Sequence, residues 1–165
     1  STLMRSSAAS DVYKRQEKLV SYCQGRDVVT VEDVEKVCAT QTTSHIFDMI
    51  SAIANKKQQQ ALDLYYDLLE LKEPPMRILY LIVRQFNGIL QVKDLMSRGI
   101  SGKEIASKIG AAPFVVGKYQ AQAKYFEMNT LLDALNECAK TEEAVKQGRL
   151  NDRLGVELII IKYSK

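Results

Sequence analysis

The sequence predicts an all-α protein, a helical bundle. Three observations carry this. No stretch alternates apolar and polar residues with the period of two that a half-buried strand requires. Turn-formers are scarce, with 8 Gly and 3 Pro in 165 residues, so the elements must be few and long rather than many and short. Apolar residues recur at i, i+3/i+4 and i+7 between recognisable helix starts and stops. The chain is long enough for a real core, since a domain of this size buries about 70% of its unfolded surface.

The elements follow in order. Residues 1–16, STLMRSSAASDVYKRQ, are Ser/Ala-rich and aperiodic, and read as a non-native or disordered tail of vector or adapter origin. Glu17 to Tyr22 reads as the end of a helix, and Gly25 is placed to stop it. Thr30-Val-Glu-Asp33 has the form of a capping box with Asp in place of Glu, opening a short helix from Val31 to Ala39. Thr40 to Thr43 is polar and predicts a break. Ser44 then caps a helix with Ile46, Phe47, Ile50 and Ile53 on one side.

A Gln-rich stretch, Asn55 to Gln60, leads into a helix ending near Lys72. Leu62, Tyr65, Tyr66 and Leu69 supply its apolar side, with Asp63, Asp67 and Glu70 opposite. Pro74-Pro75 breaks the chain and pre-sets the next helix, Pro75 to Ser97, about 35 Å long at 1.5 Å per residue. Met76, Leu79, Val83, Phe86 and Leu90 form its seam, and Arg77, Arg84 and Gln91 a polar stripe seven residues apart. Ser101-Gly-Lys-Glu104 is a capping box for a helix to Ile109, ended by Gly110. Pro113 opens a helix to about Met128. Asn129 or Thr130 caps another to Gln147, stopped by Gly148. Asn151 or Asp152 opens the last, carrying Leu154, Leu158 and Ile161, and its run Leu158 to Ile161, apolar all round, predicts deep packing.

Composition excludes several functions. The one histidine, His45, leaves little for a catalytic triad or a di-metal bundle, which needs Glu-x-x-His motifs. Cys23, Cys38 and Cys138 lie far apart with no CxxC, so a zinc site or dithiol redox site is excluded, and they read as buried small hydrophobes of a reduced, cytoplasmic protein. No GxxxxGK[ST] loop and no GxGxxG after a strand is present, so no nucleotide or other cofactor is expected. The longest apolar run, Ile78 to Val83, is six residues, against about twenty for a membrane span.

Two surfaces could bind partners. Arg77, Arg84, Gln85 and Gln91 on the longest helix could meet a partner subunit's carboxylates or a phosphate, or lie as a solvated face over the apolar seam. Ser101 to Val116 has the Ala106…Gly110 spacing of a helix-turn-helix. From Arg98 to Phe126 the net charge is +4, against +3 for the whole chain. Lys103, Lys108, Lys118 and Lys124 are therefore candidate weak DNA contacts. The second helix of the hairpin starts Pro-Phe-Val-Val-Gly, without the Arg, Asn or Gln that reads base edges. A DNA-reading helix-turn-helix protein and an interaction module both stay open on the residues alone.

The order of segments adds a resemblance. His45-Ile-Phe-Asp-Met-Ile-Ser-Ala-Ile, Ala61-Leu-Asp-Leu-Tyr-Tyr-Asp-Leu-Leu and the double proline before Ile78-Leu-Tyr-Leu-Ile-Val-Arg84-Gln85-Phe86 resemble the delta-subunit family of bacterial DNA polymerase III. Glu104-Ile-Ala-Ser-Lys-Ile-Gly-Ala-Ala-Pro113, Gln122-Ala-Lys-Tyr-Phe126, Val145-Lys146-Gln-Gly148 and Val156-Glu157-Leu continue it. The resemblance implies an AAA+ clamp-loader architecture. Residues 17–41 would be a remnant of the helical lid, and residues 42–165 the collar, which assembles with the other loader subunits, tau/gamma and delta prime. It implies no enzyme activity of the chain itself, which would serve replication within the polymerase complex. The sliding clamp would be gripped only by an N-terminal domain outside this sequence, and DNA would be bound weakly and without sequence preference.

Overall fold

In a computed structural model the chain is described at residues 13, 14, 16–23, 25 and 28–165; for residues 31, 32 and 34–40 the description is of the backbone alone. The expected tail, residues 1–16, lies largely outside the described residues. Contacts divide the chain into two units that meet in sequence between Ser44 and His45.

In the first unit, residues 16–22 are helical, Cys23 is buried and Gly25 takes φ +94°. The capping box forms as the sequence predicts. The Thr30 amide and hydroxyl donate to Asp33 Oδ2 at 3.0 and 2.8 Å, and the Asp33 amide donates back to Thr30 Oγ1 at 3.3 Å. It opens α1, Val31–Ala54. Here the structure departs from expectation, because no break occurs at Thr40–Thr43 and Ser44 caps nothing. Threonine costs a helix only a few tenths of a kcal/mol per residue, and neither Gly nor Pro is present to enforce a stop.

The second unit is an all-α bundle. It holds the end of α1, then α2 (Gln58–Glu70), α3 (Pro75–Ser97), α4 (Gly102–Ile109), α5 (Pro113–Ala123), α6 (Met128–Lys146) and α7 (Asp152–Tyr163). Helix α3 is its axis and packs against α4, α5, α6 and α7. Helix α7 also packs on α2 and α6, and α4 pairs with α5 as a hairpin. On α3 the buried side chains are Ile78, Leu79, Ile82, Gln85, Phe86, Ile89 and Val92, while Met76, Val83 and Leu90 are only partly buried. Phe86 sits at the centre, edge-on to Phe126 at 5.7 Å and to Tyr163 at 6.5 Å.

Helix ends follow two chemistries. Gly99, Gly110 and Gly148 stop helices with positive φ, as the sequence predicts. The stops after α1 and α2 are instead Lys56 at φ +59° and Lys72 at φ +63°. The Glu73 amide reaches back to the Leu68 carbonyl and the Lys72 amide to Leu69, a left-handed closing turn built without glycine. Helix α5 ends near Ala123 rather than Met128, and α6 begins after Glu127 rather than at Asn129 or Thr130. Asn151 caps α7 as predicted, its Oδ1 accepting from the Leu154 amide at 3.1 Å. The packed face of α7 differs from expectation. Val156, Ile159, Ile160 and Tyr163 are buried, whereas Leu154 and Leu158 are 46% and 49% exposed.

Candidate functional site

Helix α3 is covered along one side by other helices and leaves another face open to solvent. Arg77, Arg84 and Gln91 lie on it and are exposed. Arg77 is engaged, with Nη1 3.4 Å from Glu73 Oε2 one turn earlier. Arg84 has no hydrogen-bond or ion-pair partner among the described residues, and the positions three and four away are Tyr80, Leu81, Asn87 and Gly88, none acidic.

Gln85 does not belong to this face. It is 4% exposed, and its Nε2 donates to Gln122 Oε1 at 2.6 Å. Gln122 Nε2 then donates to the Phe47 carbonyl at 3.0 Å and to Ser51 Oγ at 2.8 Å. The chain of amides ties α3, α5 and α1 together inside the core. As a surface contact Gln85 is therefore corrected to a core residue. Nothing in a helical repeat distinguishes a buried glutamine from an exposed one until its acceptor is in place.

Beside Arg84 the α4–α5 hairpin leans on α3 and leaves a groove of about 350 Å³. One wall carries Arg84, Asn87 and Gln91; the other is Ile109 to Ala112 with Val115, and Tyr119 lies across the floor. Tyr119 fits there because residue 88 is glycine: a Cβ on Gly88 would sit 2.6 Å from the Tyr119 ring. Phe47 stacks on the other side of Tyr119 at 5.7 Å. Burial raises the Tyr119 phenol above its usual pKa, and the nearby Arg84 charge works against that rise. Sequence reading singled out Arg84 and Gln91 but not the groove, which exists only once the hairpin is docked.

The basic hairpin is partly neutralised. Lys103, Lys108, Lys118 and Lys124 are all exposed. Arg98 pairs with Asp94 at 2.9 Å, and Lys118 Nζ sits 4.8 Å over the Phe47 ring. Glu104 is taken up by the helix start, accepting from the Ser101 amide at 3.2 Å and hydroxyl at 3.0 Å. The hairpin has the predicted turn, with Gly110 left-handed and Ala106 buried. Its second helix buries Val116, Tyr119, Gln122 and Ala123 and presents Phe114, 70% exposed, at its first turn.

Burial, with a smaller push from Glu137, raises the Cys138 thiol to about 12, which removes it as a nucleophile at neutral pH. Asp63 is exposed and accepts from Gln59 Nε2 at 2.8 Å. Among the described residues no group of three His, Cys, Asp or Glu side chains could hold a metal ion, and no helix is long and apolar enough to cross a membrane.

Comparison with known proteins agrees with this helical fold. The DNA polymerase III subunit delta of Bacillus subtilis (strain 168) is 31% identical over 156 residues, covering 94% of this chain and 45% of that protein. The solved structure of the Bacillus subtilis DNA clamp loader delta protein (YqeN) superposes with a TM-score of 0.75 at 31% identity, covering 94% of this chain and 46% of that one. The chain thus spans about half the length of the relatives it matches, and the match favours this family over a helix-turn-helix DNA reader. The family model described as DNA polymerase III delta subunit, C-terminal domain, matches residues 43–163, nearly the whole of the second compact unit, and the chain belongs to that family.

Proposed function

We propose that residues 42–165 act as the collar of a clamp-loader delta subunit, an oligomerisation domain that assembles with the tau/gamma and delta prime subunits so that the sliding clamp can be placed on primed DNA. Residues 17–41 would belong to the preceding helical lid. The observation that carries this reading is the coincidence of the family match, residues 43–163, with the compact unit His45–Lys165. The chemistry supports it. Most buried side chains are apolar, the buried Gln85 and Gln122 amides pair with each other, the Cys138 thiol is raised rather than activated, and a long helix face and a hairpin are accessible. Such a module contributes binding energy and geometry to an assembly, not a reaction. It would act in the cytoplasm, and any contact with DNA would be weak and independent of sequence.

Sedimentation velocity of the chain with the other loader subunits of its source, singly and together, tests this. A stoichiometric complex that excludes unrelated helical proteins is the expected result. Failure to co-sediment with every loader subunit overturns the proposal.

A further inference from the structure

The groove beside Arg84 sets one cation and two side-chain amides against an apolar wall. Several surface cations meet carboxylates: Arg77 with Glu73 and Arg98 with Asp94 at the two ends of α3, Lys140 with Glu137 on α6, and Lys162 of α7 with Asp133 of α6. Arg84 has none among the described residues: no acidic residue lies one turn away and none is among the residues lining the groove. The polar groups that do line it are Arg84, the amides of Asn87 and Gln91, and the edge of Tyr119, whose hydroxyl has no hydrogen-bond partner among the described residues. Facing them is an apolar wall, Ile109, Ala111 and Val115, with exposed Phe114 next in sequence.

A guanidinium with both edges open takes a carboxylate in the two-bond fork that fits it best. The wall opposite takes aliphatic side chains. A ligand that satisfies both is therefore a peptide segment carrying Glu or Asp next to an apolar residue. A nucleic-acid backbone fits less well, since it needs successive cations along its length, and Arg84 is the one cation among the described residues lining the groove.

We propose that this groove is a docking site for an acidic, amphipathic segment of a neighbouring clamp-loader subunit, with Arg84 receiving its carboxylate and the Ile109–Val115 wall its apolar side chain. This rests on the collar reading above and specifies which face makes one of the contacts and with what chemistry. It also gives Gly88 a purpose. A Cβ there would meet the Tyr119 ring at 2.6 Å, so a larger residue would displace the ring that lines the groove.

The test measures assembly of the whole chain with the other loader subunits by titration, for the wild type and for Arg84→Glu, Arg84→Lys and Arg149→Glu. Arg149 carries the same charge on an exposed loop away from the groove. Arg84 is exposed, so thermal melts of its variants should match the wild type. Arg84→Glu should weaken assembly by about tenfold or more, as expected for breaking a desolvated charge pair. Arg84→Lys should fall between, because it keeps the charge but loses the fork. Arg149→Glu should assemble as the wild type does. A photo-crosslinker at Gln91 should capture a partner peptide containing Asp or Glu. If the wild type itself does not assemble, the collar reading falls and this inference with it. If the wild type assembles and Arg84→Glu does so equally well, this inference alone is overturned. Equal weakening by Arg84→Glu and Arg149→Glu would also overturn it, since general charge would then be the cause. Intact assembly with loss of DNA retention would overturn it in favour of a phosphate ligand.

Discussion

Two buried side chains show how differently residues of the same helix act. Phe86 is 1% exposed and touches two aromatic rings, so Phe86→Ala removes both transfer energy and packing. A loss of about 3–5 kcal/mol in a urea melt is expected, and a near-neutral value would place the ring outside the core. Gln85, one position earlier, is held by hydrogen bonds. Replacing Gln122 with Ala strands Gln85 Nε2 and withdraws a donor from the Phe47 carbonyl and from Ser51. Each buried group left unpaired costs about 1–3 kcal/mol. The double variant Gln85→Leu/Gln122→Leu should therefore be less destabilised than the sum of the singles. Strict additivity in the double-mutant cycle would show that the amides do not act as a unit.

Helix ends and helix pairs carry the next set of effects. Lys72 ends α2 in the left-handed region, where a Cβ costs about 1–2 kcal/mol and glycine pays nothing. Lys72→Gly should raise the melting midpoint. The gain should stay below that cost, because glycine also loosens the unfolded chain. A lowered midpoint would mean that the Lys72 side chain itself holds the turn. The α6–α7 pair is joined by charge: the Tyr163 hydroxyl donates to Asp133 Oδ2 at 2.6 Å, and Lys162 lies 3.3 Å from both Asp133 and Glu137. The Tyr163 bond, then Lys162, hold the Asp133 carboxyl below its ordinary pKa. Its native value is depressed, so its contribution is present above the unfolded carboxylate pKa of about 4 and is lost as pH falls through the lower native value. Asp133→Asn should thus be less stable than the wild type at neutral pH, and the two should converge in strong acid. A difference that does not change with pH would assign the effect to packing instead.

At the scale of the molecule, the basic hairpin is where the weak DNA contact proposed above would fall. Lys103, Lys108 and Lys124 are exposed, while Lys118 spends part of its charge on the Phe47 ring. Binding through such lysines proceeds by counterion release and weakens steeply with salt. Changing Lys118 and Lys124 to Ala together should lower affinity equally for unrelated duplexes and flatten the salt dependence. Lys124 should account for more of the change than Lys118, since only Lys118 is already engaged. Selection from random duplexes that converges on one sequence would contradict this. Phe114 at the first turn of α5 gives the reason to expect no such sequence, as a phenyl ring offers base edges no hydrogen bond.

The sequence by itself determined where most helices lie. Pro75, Pro113, the Ser101–Glu104 box and the glycines at 99, 110 and 148 act through local backbone chemistry that needs no distant partner. The ordered segments from His45 to Leu158 also carried the family likeness, because each is a helix signature and their succession is specific. Tertiary structure decided what local chemistry leaves open. The run Leu158 to Ile161 is apolar on every side, so it names no buried face; contact with α2, α3 and α6 chose Ile159 and Ile160 and left Leu158 half exposed. Gln85 became a core residue because Gln122 arrived opposite it. The groove beside Arg84 arose where the hairpin docked on Gly88, joining residues of α3 to residues of α4 and α5. A helix is fixed by bonds four residues long, whereas a face, a network or a groove is fixed by whichever other helix packs against it.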